Sequence, residues 1–239
     1  MIKLTIAYDG SRFNGSAIQP KTKTVQGEFE KVLKILGIES KSVFSGRTDK
    51  DVHSTNQIVS FEVPSFWDDD KRLLETLRHH LYGSIEIKKL ERVSKEFHAR
   101  FSAKKREYRY LISLKKTDPY LYHYVHFHEN IDIQLLQKAS QILIGVHDFK
   151  YFSKTGSDPK STVREIYRIK IYKHKDLVVL KFEANSYLRS QIRMMVDFLL
   201  KISDKKLTLD QLQDQLDCKQ MISKTLAPPF GLYLTKIRY

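Results

Sequence analysis

The chain has 239 residues, 41% of them apolar and 11% aromatic, enough for one large core or two small ones and too apolar for a disordered chain. Its one cysteine, Cys218, excludes an intramolecular disulfide and a cysteine-based zinc site, and the apolar runs, such as 177–180, are too short to cross a bilayer as a helix. Lys and Arg number 42 against 28 acids, a formal charge of +14 that favours a polyanionic partner.

Residues 1–8 alternate, with Ile2, Leu4, Ile6 and Tyr8 on one face, and read as a half-buried strand rather than the apolar core of a signal peptide. After Thr24, a good N-cap, Val25, Phe29, Val32, Leu33 and Leu36 recur at helical spacing until Gly37. A short strand then runs into the turn FSGRTDKDVHS (44–54), and 57–63 follows as another strand. Asp68 to Asp70 open a helix carrying Leu73, Leu74, Leu77 and Leu81, and Ile85 and Ile87 mark a strand. The order is βαββαβ.

The second half repeats that order: strand 106–114, helix 131–144, strands 163–172 and 177–182, a long helix over 187–202, and a strand over 231–238, with a short extra helix near 208–216. This predicts an α+β fold of two ferredoxin-like halves, 1–95 and 96–239, related by pseudo-symmetry around a basic cleft bordered by residues 92–105. Arg100, Lys104, Lys105, Arg106 and Arg109 interleave there with Phe97, Phe101, Tyr108 and Tyr110. Cations that hold phosphates and rings that accept unpaired bases are the two elements of an RNA surface.

The turn at 44–54 carries the chemistry. Asp49, Asp51 and His53 alternate, so in extended backbone all three would face one side and could hold a divalent metal, as in a metal-dependent nuclease. Alternatively, Asp49 and Asp51 satisfy turn amides and His53 opens a strand. His123, His126 and His128 also invite a metal reading, but within YLYHYVHFHEN a surface or stacking role fits better.

Four stretches in order resemble the TruA family of tRNA pseudouridine synthases. Tyr8-Asp9-Gly10 with Thr24-Val25-Gln26-Gly27 matches its opening, and Gly46-Arg47-Thr48-Asp49 with Val52-His53 its central motif. FHARFSAKKREYRY (97–110) matches its next block, and Ala184-Asn185, Ile192-Arg193 and APPFGLYL (227–234) its last. The resemblance implies a cofactor-free and metal-free isomerase that cleaves the N1–C1′ bond of a uridine, turns the base and joins C5 to C1′. It implies Asp49 as the essential carboxylate, Arg193 as its cationic partner and Arg47 as the group filling the space of the extruded nucleotide. It also implies Tyr108 packed on the uracil and Leu232 closing the pocket, and Arg189 is counted with the cations expected to contact RNA. Arg193 could equally be a solvated helix arginine sharing a face with Arg189.

The expected substrate is a uridine of the tRNA anticodon stem-loop, positions 38–40, handled by a cytoplasmic homodimer. A non-catalytic RNA-binding module is the remaining alternative. Three departures stand out: Lys50-Asp51 where the family has Ala-Gly, Gly15-Ser16-Ala17 where it has Gly-Trp-Gln, and Leu81-Tyr82-Gly83-Ser84-Ile85 where it has Leu-Pro-x-Asp-Ile. Arg189-Ser190 also stands where a histidine pattern is usual. None removes a catalytic group, so they bear on substrate range rather than on reaction type.

Overall fold

A computed structural model of the protein describes residues 1–156 and 159–239. It is a mixed α/β structure of ten strands and five α-helices among the described residues, and it divides into two compact units, 1–104 with 233–239, and 105–232.

In the first unit, alternation does what it predicts. Ile2, Leu4, Ile6 and Tyr8 of β1 (Ile2–Tyr8) are all buried. Strand β1 lies antiparallel between β3 (His53–Phe61) and β4 (Ile85–Arg92). The two-residue β2 (Val43–Phe44) pairs antiparallel with the end of β3 at Val59 and Ser60. Helix α1 (Val25–Ile35) starts where the Thr24 hydroxyl accepts the Gly27 N–H, and it stops before Gly37, which takes the left-handed φ of +69° that glycine tolerates best. Helix α2 (Asp70–Leu81) starts at Asp69, whose carboxylate accepts the Lys71 and Arg72 N–H groups. Both bury one leucine- or phenylalanine-rich stripe, and Phe29 of α1 meets Phe61 of β3 edge to face at 5.5 Å. Strand β10 (Leu232–Arg238) joins this sheet parallel to β3, with Tyr233 opposite His53 and Leu234 opposite Ser54. Strand β3 starts four residues earlier than its apolar run implies.

The second unit holds β5 (Lys105–Ser113), β6 (His126–Phe127), α3 (Ile133–Ile142), β7 (Gly145–Asp148), β8 (Val163–His174), β9 (Leu177–Ala184), α4 (Gln191–Ser203) and α5 (Leu209–Leu216). Antiparallel pairing orders its strands β5-β9-β8-β7, with β6 parallel to β5. Helix α5 opens with a full capping box between Thr208 and Gln211. Helix α4 is shorter than its apolar stripe suggests: Ser190 adopts φ 59°, which no continuous helix contains, so residues 187–190 form a linker. Arg189 therefore lies outside the helix and shares no helical face with Arg193. Its Nη1 donates to the carbonyls of Thr155 and Gly156 instead. Strands β6 and β7 carry no periodic signal long enough to anticipate. No helix among the described residues is long and apolar enough to cross a membrane.

Candidate active site

Asp49 stands on the loop between β2 and β3, and the residues around it are fixed from several sides. Gln57, fully buried on β3, accepts the Ser45 hydroxyl through Oε1 at 2.6 Å and donates from Nε2 to the Gly46 carbonyl at 2.9 Å. The Tyr8 hydroxyl lies 3.0 Å from Thr48 Oγ1, and burial pushes its pKa up, so it stays a neutral phenol. Ser16 N–H donates to the Thr48 carbonyl at 3.0 Å, while Thr48 N–H donates to Ser16 Oγ at 2.8 Å. Gly10 N–H donates to His53 Nδ1 at 3.0 Å. A Cβ at Gly10 would stand 2.2 Å from the Val52 carbonyl oxygen, so this approach requires glycine.

These contacts explain several matched motif residues as scaffolding. Tyr8 and Gly10 brace the loop that carries Asp49 directly, and Asp9 accepts the Ser11 N–H and hydroxyl to shape the turn that presents Gly10. The 24–27 motif caps α1, and the Val25 and Gln26 N–H groups hold the Gly15 and Ser16 carbonyls. Ser16, a departure from the family pattern, and Gln57, which no motif flagged, are the residues sequence reasoning missed. Gln57 sits where the polar first half of β3 gives way to Ile58 and Val59, and that placement is the signal that could have found it.

Asp49 is half-buried between buried Thr48 and Val52, and its carbonyl accepts the Val52 N–H at 3.2 Å. Residues 49–52 thus form a β-turn with Lys50 and Asp51 at its centre. Asp51 has φ 63°, the left-handed conformation that type II turns require at their third residue and usually give to glycine. The family's Ala-Gly pair falls at these two positions. The substitution keeps the turn, because aspartate tolerates this region better than most residues.

The same turn undoes the nuclease alternative. Asp49, Asp51 and His53 do not alternate on an extended strand, and His53 Nδ1 is engaged by Gly10 N–H, with its ring stacked on Tyr233 at 4.6 Å. Asp9 Oδ1 approaches the same nitrogen at 3.3 Å but is already held by Ser11. Among the described residues no group of three His, Cys, Asp or Glu side chains could hold a metal ion.

Arg47 is exposed beside Thr48, at the outer side of the loop. In the second unit, Arg193 is half-buried on α4, where its Nε donates to the Ala227 carbonyl at 2.8 Å and its own carbonyl accepts the Ala227 N–H at 3.1 Å. That double link seats the APPFGLYL segment on α4. Gly231 of that segment approaches Tyr110 so closely that a Cβ would sit 2.9 Å from the ring, and the Tyr110 hydroxyl donates to the Pro228 carbonyl at 2.8 Å. Leu232 follows, buried. Tyr108 on β5 is buried, and its ring meets Tyr187 edge to face at 5.3 Å.

The expected RNA contacts divide. Arg100, Lys104, Arg109 and Arg189 are exposed. Lys105 is half-buried over the Tyr167 ring, with Nζ 4.3 Å from its centroid, and Arg106 is only 8% exposed and donates to the Asn185 carbonyl. Arg106 is turned inward and braces the end of β9 in this structure. Arg100 belongs to a tight turn in which His98 Nδ1 accepts the Arg100 and Phe101 N–H groups, and Phe101 stacks on His98 at 4.4 Å. Among the histidines, His123 is exposed, His128 Nε2 lies 2.8 Å from Asp204, and His126 lies 3.1 Å from the Tyr110 hydroxyl.

Comparison with known proteins places the chain in a class. The family model of the tRNA pseudouridine synthases matches residues 139–239. Full-length relatives are closer still. The tRNA pseudouridine synthase A of Campylobacter jejuni serotype O:6 is 39% identical over 238 residues, covering 100% of this chain and 99% of its own. That of Wolinella succinogenes is 40% identical over 234 residues, with 98% and 92% covered, and that of Helicobacter pylori strain P12 is 38% identical over 241, with 99% and 98% covered. The chain belongs to the TruA family of tRNA pseudouridine synthases, which are isomerases.

Proposed function

We propose that the protein isomerises uridine to pseudouridine at positions 38–40 of the tRNA anticodon stem-loop, with Asp49 as the catalytic carboxylate. The observation that carries this reading is the clasped turn that holds Asp49 rigidly at its first residue, in a chain whose relatives share its full length. Asp49 would attack C1′, stabilise cationic character there or take a proton from the sugar, each of which needs an ionised carboxylate. The N1–C1′ bond breaks, the base turns, C5 bonds to C1′, and the proton lost from C5 is balanced by one gained at N1. No atom leaves and no cofactor is consumed.

In this reading Arg193 is the cationic partner of Asp49, Arg47 fills the space of the extruded nucleotide, Tyr108 packs on the uracil, and Leu232 closes the apolar side. Arg100, Lys104, Lys105, Arg109 and Arg189 hold tRNA phosphates. The halves 1–95 and 96–239 are two versions of one βαββαβ pattern, a reading that the strand neighbours β4-β1-β3-β2 in the first half support. The working form is a cytoplasmic homodimer, testable by sedimentation.

The decisive experiment incubates the protein with unmodified tRNA and maps pseudouridine by carbodiimide adducts. Product at 38, 39 or 40 from the wild type, none from Asp49→Asn, and tRNA affinity within several-fold between the two would support the reading, because phosphates supply most of the binding. Product elsewhere would move the substrate, and unimpaired Asp49→Asn would remove Asp49 from the chemistry.

A further inference from the structure

The segment leading to Leu232 has no regular structure over 220–228, yet it is tied down along its length. Gln215, fully buried on α5, accepts the Ile222 and Ser223 N–H groups and donates to the Ser223 carbonyl. Arg193 holds both backbone polar groups of Ala227. The last tie is Tyr110, whose hydroxyl donates to the Pro228 carbonyl at 2.8 Å.

Tyr110 is fully buried and stands two residues from Tyr108, so the two share one face of β5. Opposite them on β9 are Phe182 and Leu180, both fully buried. Tyr110 meets the next turn at both ends. Its hydroxyl takes Pro228, just ahead of the single 3-10 turn Pro229–Gly231, and its ring lies against Gly231, where a Cβ would stand 2.9 Å from Cζ. The same Cβ would stand 2.9 Å from the Leu111 carbonyl oxygen, so the turn is seated on β5 with room for glycine alone. The Leu232 N–H then donates to the Pro229 carbonyl. A hydroxyl has one proton, and Pro228 can only accept it. His126 Nδ1, 3.1 Å from the Tyr110 oxygen, therefore carries its own hydrogen towards that oxygen. Burial raises the tyrosine far above its ordinary pKa, and burial with His128 alongside holds His126 down to about 4, so both partners stay neutral near pH 7.

We propose that Tyr110 is a positioning residue for the isomerisation: through Pro228 and Gly231 it sets where Leu232 stands relative to Tyr108, its neighbour on the same strand face. The inference rests on the pseudouridine synthase reading above, in which Tyr108 and Leu232 are two walls around the uracil. Tyr110 touches no substrate. It acts through the turn, and a directional hydrogen bond fixes the angle of that turn where ring contact alone would let it rock.

The test is Tyr110→Phe, which keeps the ring under Gly231 and removes the hydroxyl. In single-turnover assays on unmodified tRNA, well below the melting temperature, the rate should fall by about three- to tenfold, the scale of one neutral hydrogen bond. The tRNA dissociation constant should stay within about twofold, because phosphates supply most of the binding. Gly231→Ala displaces the same turn with Tyr110 intact and should lower the rate in the same way. A role in stability alone is separated by a double-mutant cycle with Leu232→Ala. If Tyr110 acts through Leu232, Tyr110→Phe should cost less than about twofold in rate once Leu232 is alanine. Full-rate Tyr110→Phe, an equal loss in both backgrounds, or a rate loss matched by the loss of tRNA affinity would each overturn the assignment while leaving the underlying reading intact. Full-rate Leu232→Ala would remove Leu232 from the pocket and this assignment with it. A wild type that forms no pseudouridine in tRNA would overturn the underlying reading and this one together.

Discussion

Ser16 and Thr48 clasp each other through two hydrogen bonds, one between main chains and one from the Thr48 main chain to the Ser16 side chain. Ser16 N–H donates to the Thr48 carbonyl at 3.0 Å, and Thr48 N–H donates back to Ser16 Oγ at 2.8 Å. Both residues are buried, at 1% and 7% exposure, so water cannot replace either partner without opening the loop. Ser16→Ala should leave the Thr48 N–H buried without its acceptor, at a cost of about 1–3 kcal/mol. Because the residue after Thr48 is Asp49, we expect kcat to fall more than tRNA affinity. Thermal unfolding together with single-turnover kinetics checks this, and unchanged values in both would show that the clasp positions nothing.

The charge surplus sets a second expectation. With a formal charge of +14 and exposed Arg100, Lys104, Arg109 and Arg189, neutralising four to six phosphates should give log affinity a slope of about −3 to −5 per log salt. Alanine at Arg109 should reduce the slope by about one, whereas alanine at the inward-turned Arg106 should instead lower stability. Filter binding across a salt series, paired with melting curves, separates these outcomes.

A third expectation concerns pH. His126 is held down to about 4 by burial and by the neighbouring His128, with Asp197 opposing. A histidine whose folded pKa lies below its ordinary value of 6.5 binds its proton more readily in the unfolded chain. Its contribution to stability is therefore present above about 6.5 and is lost as pH falls towards 4. The Tyr110 hydroxyl, 3.1 Å from His126 Nδ1, titrates far above this window because burial raises it, so it does not contribute. The fall in melting temperature between pH 7 and pH 4.5 should be smaller in His126→Phe than in the wild type. An identical pH profile in both would contradict this.

How much of this was legible in the sequence depended on whether the controlling interactions were local. Strand β1 and helices α1 and α2 follow from alternation, from the 3.6-residue period and from the Thr24 and Asp69 caps, and the structure places them accordingly. Helix α4 starts later than the apolar stripe through Leu188 predicts, because the left-handed Ser190 interrupts the backbone and leaves no mark in hydrophobic periodicity. The candidate catalytic loop was found through its motif, but its supports were not. Ser16 and Thr48 are separated by 32 residues and Gly10 and His53 by 43, and no pattern in the chain links such pairs before it folds. Arg106 shares its stretch of sequence with the exposed Arg100, Lys104 and Arg109, yet the fold leaves it only 8% exposed.

The last prediction concerns Lys50 and Asp51. Asp51 occupies the left-handed position of the turn that follows Asp49, with φ 63°, so we expect its backbone conformation rather than its carboxylate to matter to the site. Lys50→Ala with Asp51→Gly restores the pair usual in the family and removes a strained residue, so the double variant should keep at least about a tenth of wild-type activity, a barrier change under about 1.4 kcal/mol. Asp51→Val should behave oppositely. A β-branched side chain at positive φ costs about 1–2 kcal/mol or more, and relieving it would shift the peptide that carries Asp49. Activity should therefore follow the backbone, with glycine tolerated and valine damaging, although both remove the same carboxylate. If Asp51 were a metal ligand, both would fail equally, and EDTA would silence the wild type until magnesium was restored. We expect EDTA to leave turnover intact when a polyamine keeps the tRNA folded. Equal loss in the glycine and valine variants, with magnesium rescue that polyamine cannot reproduce, would make Asp49 a metal ligand instead.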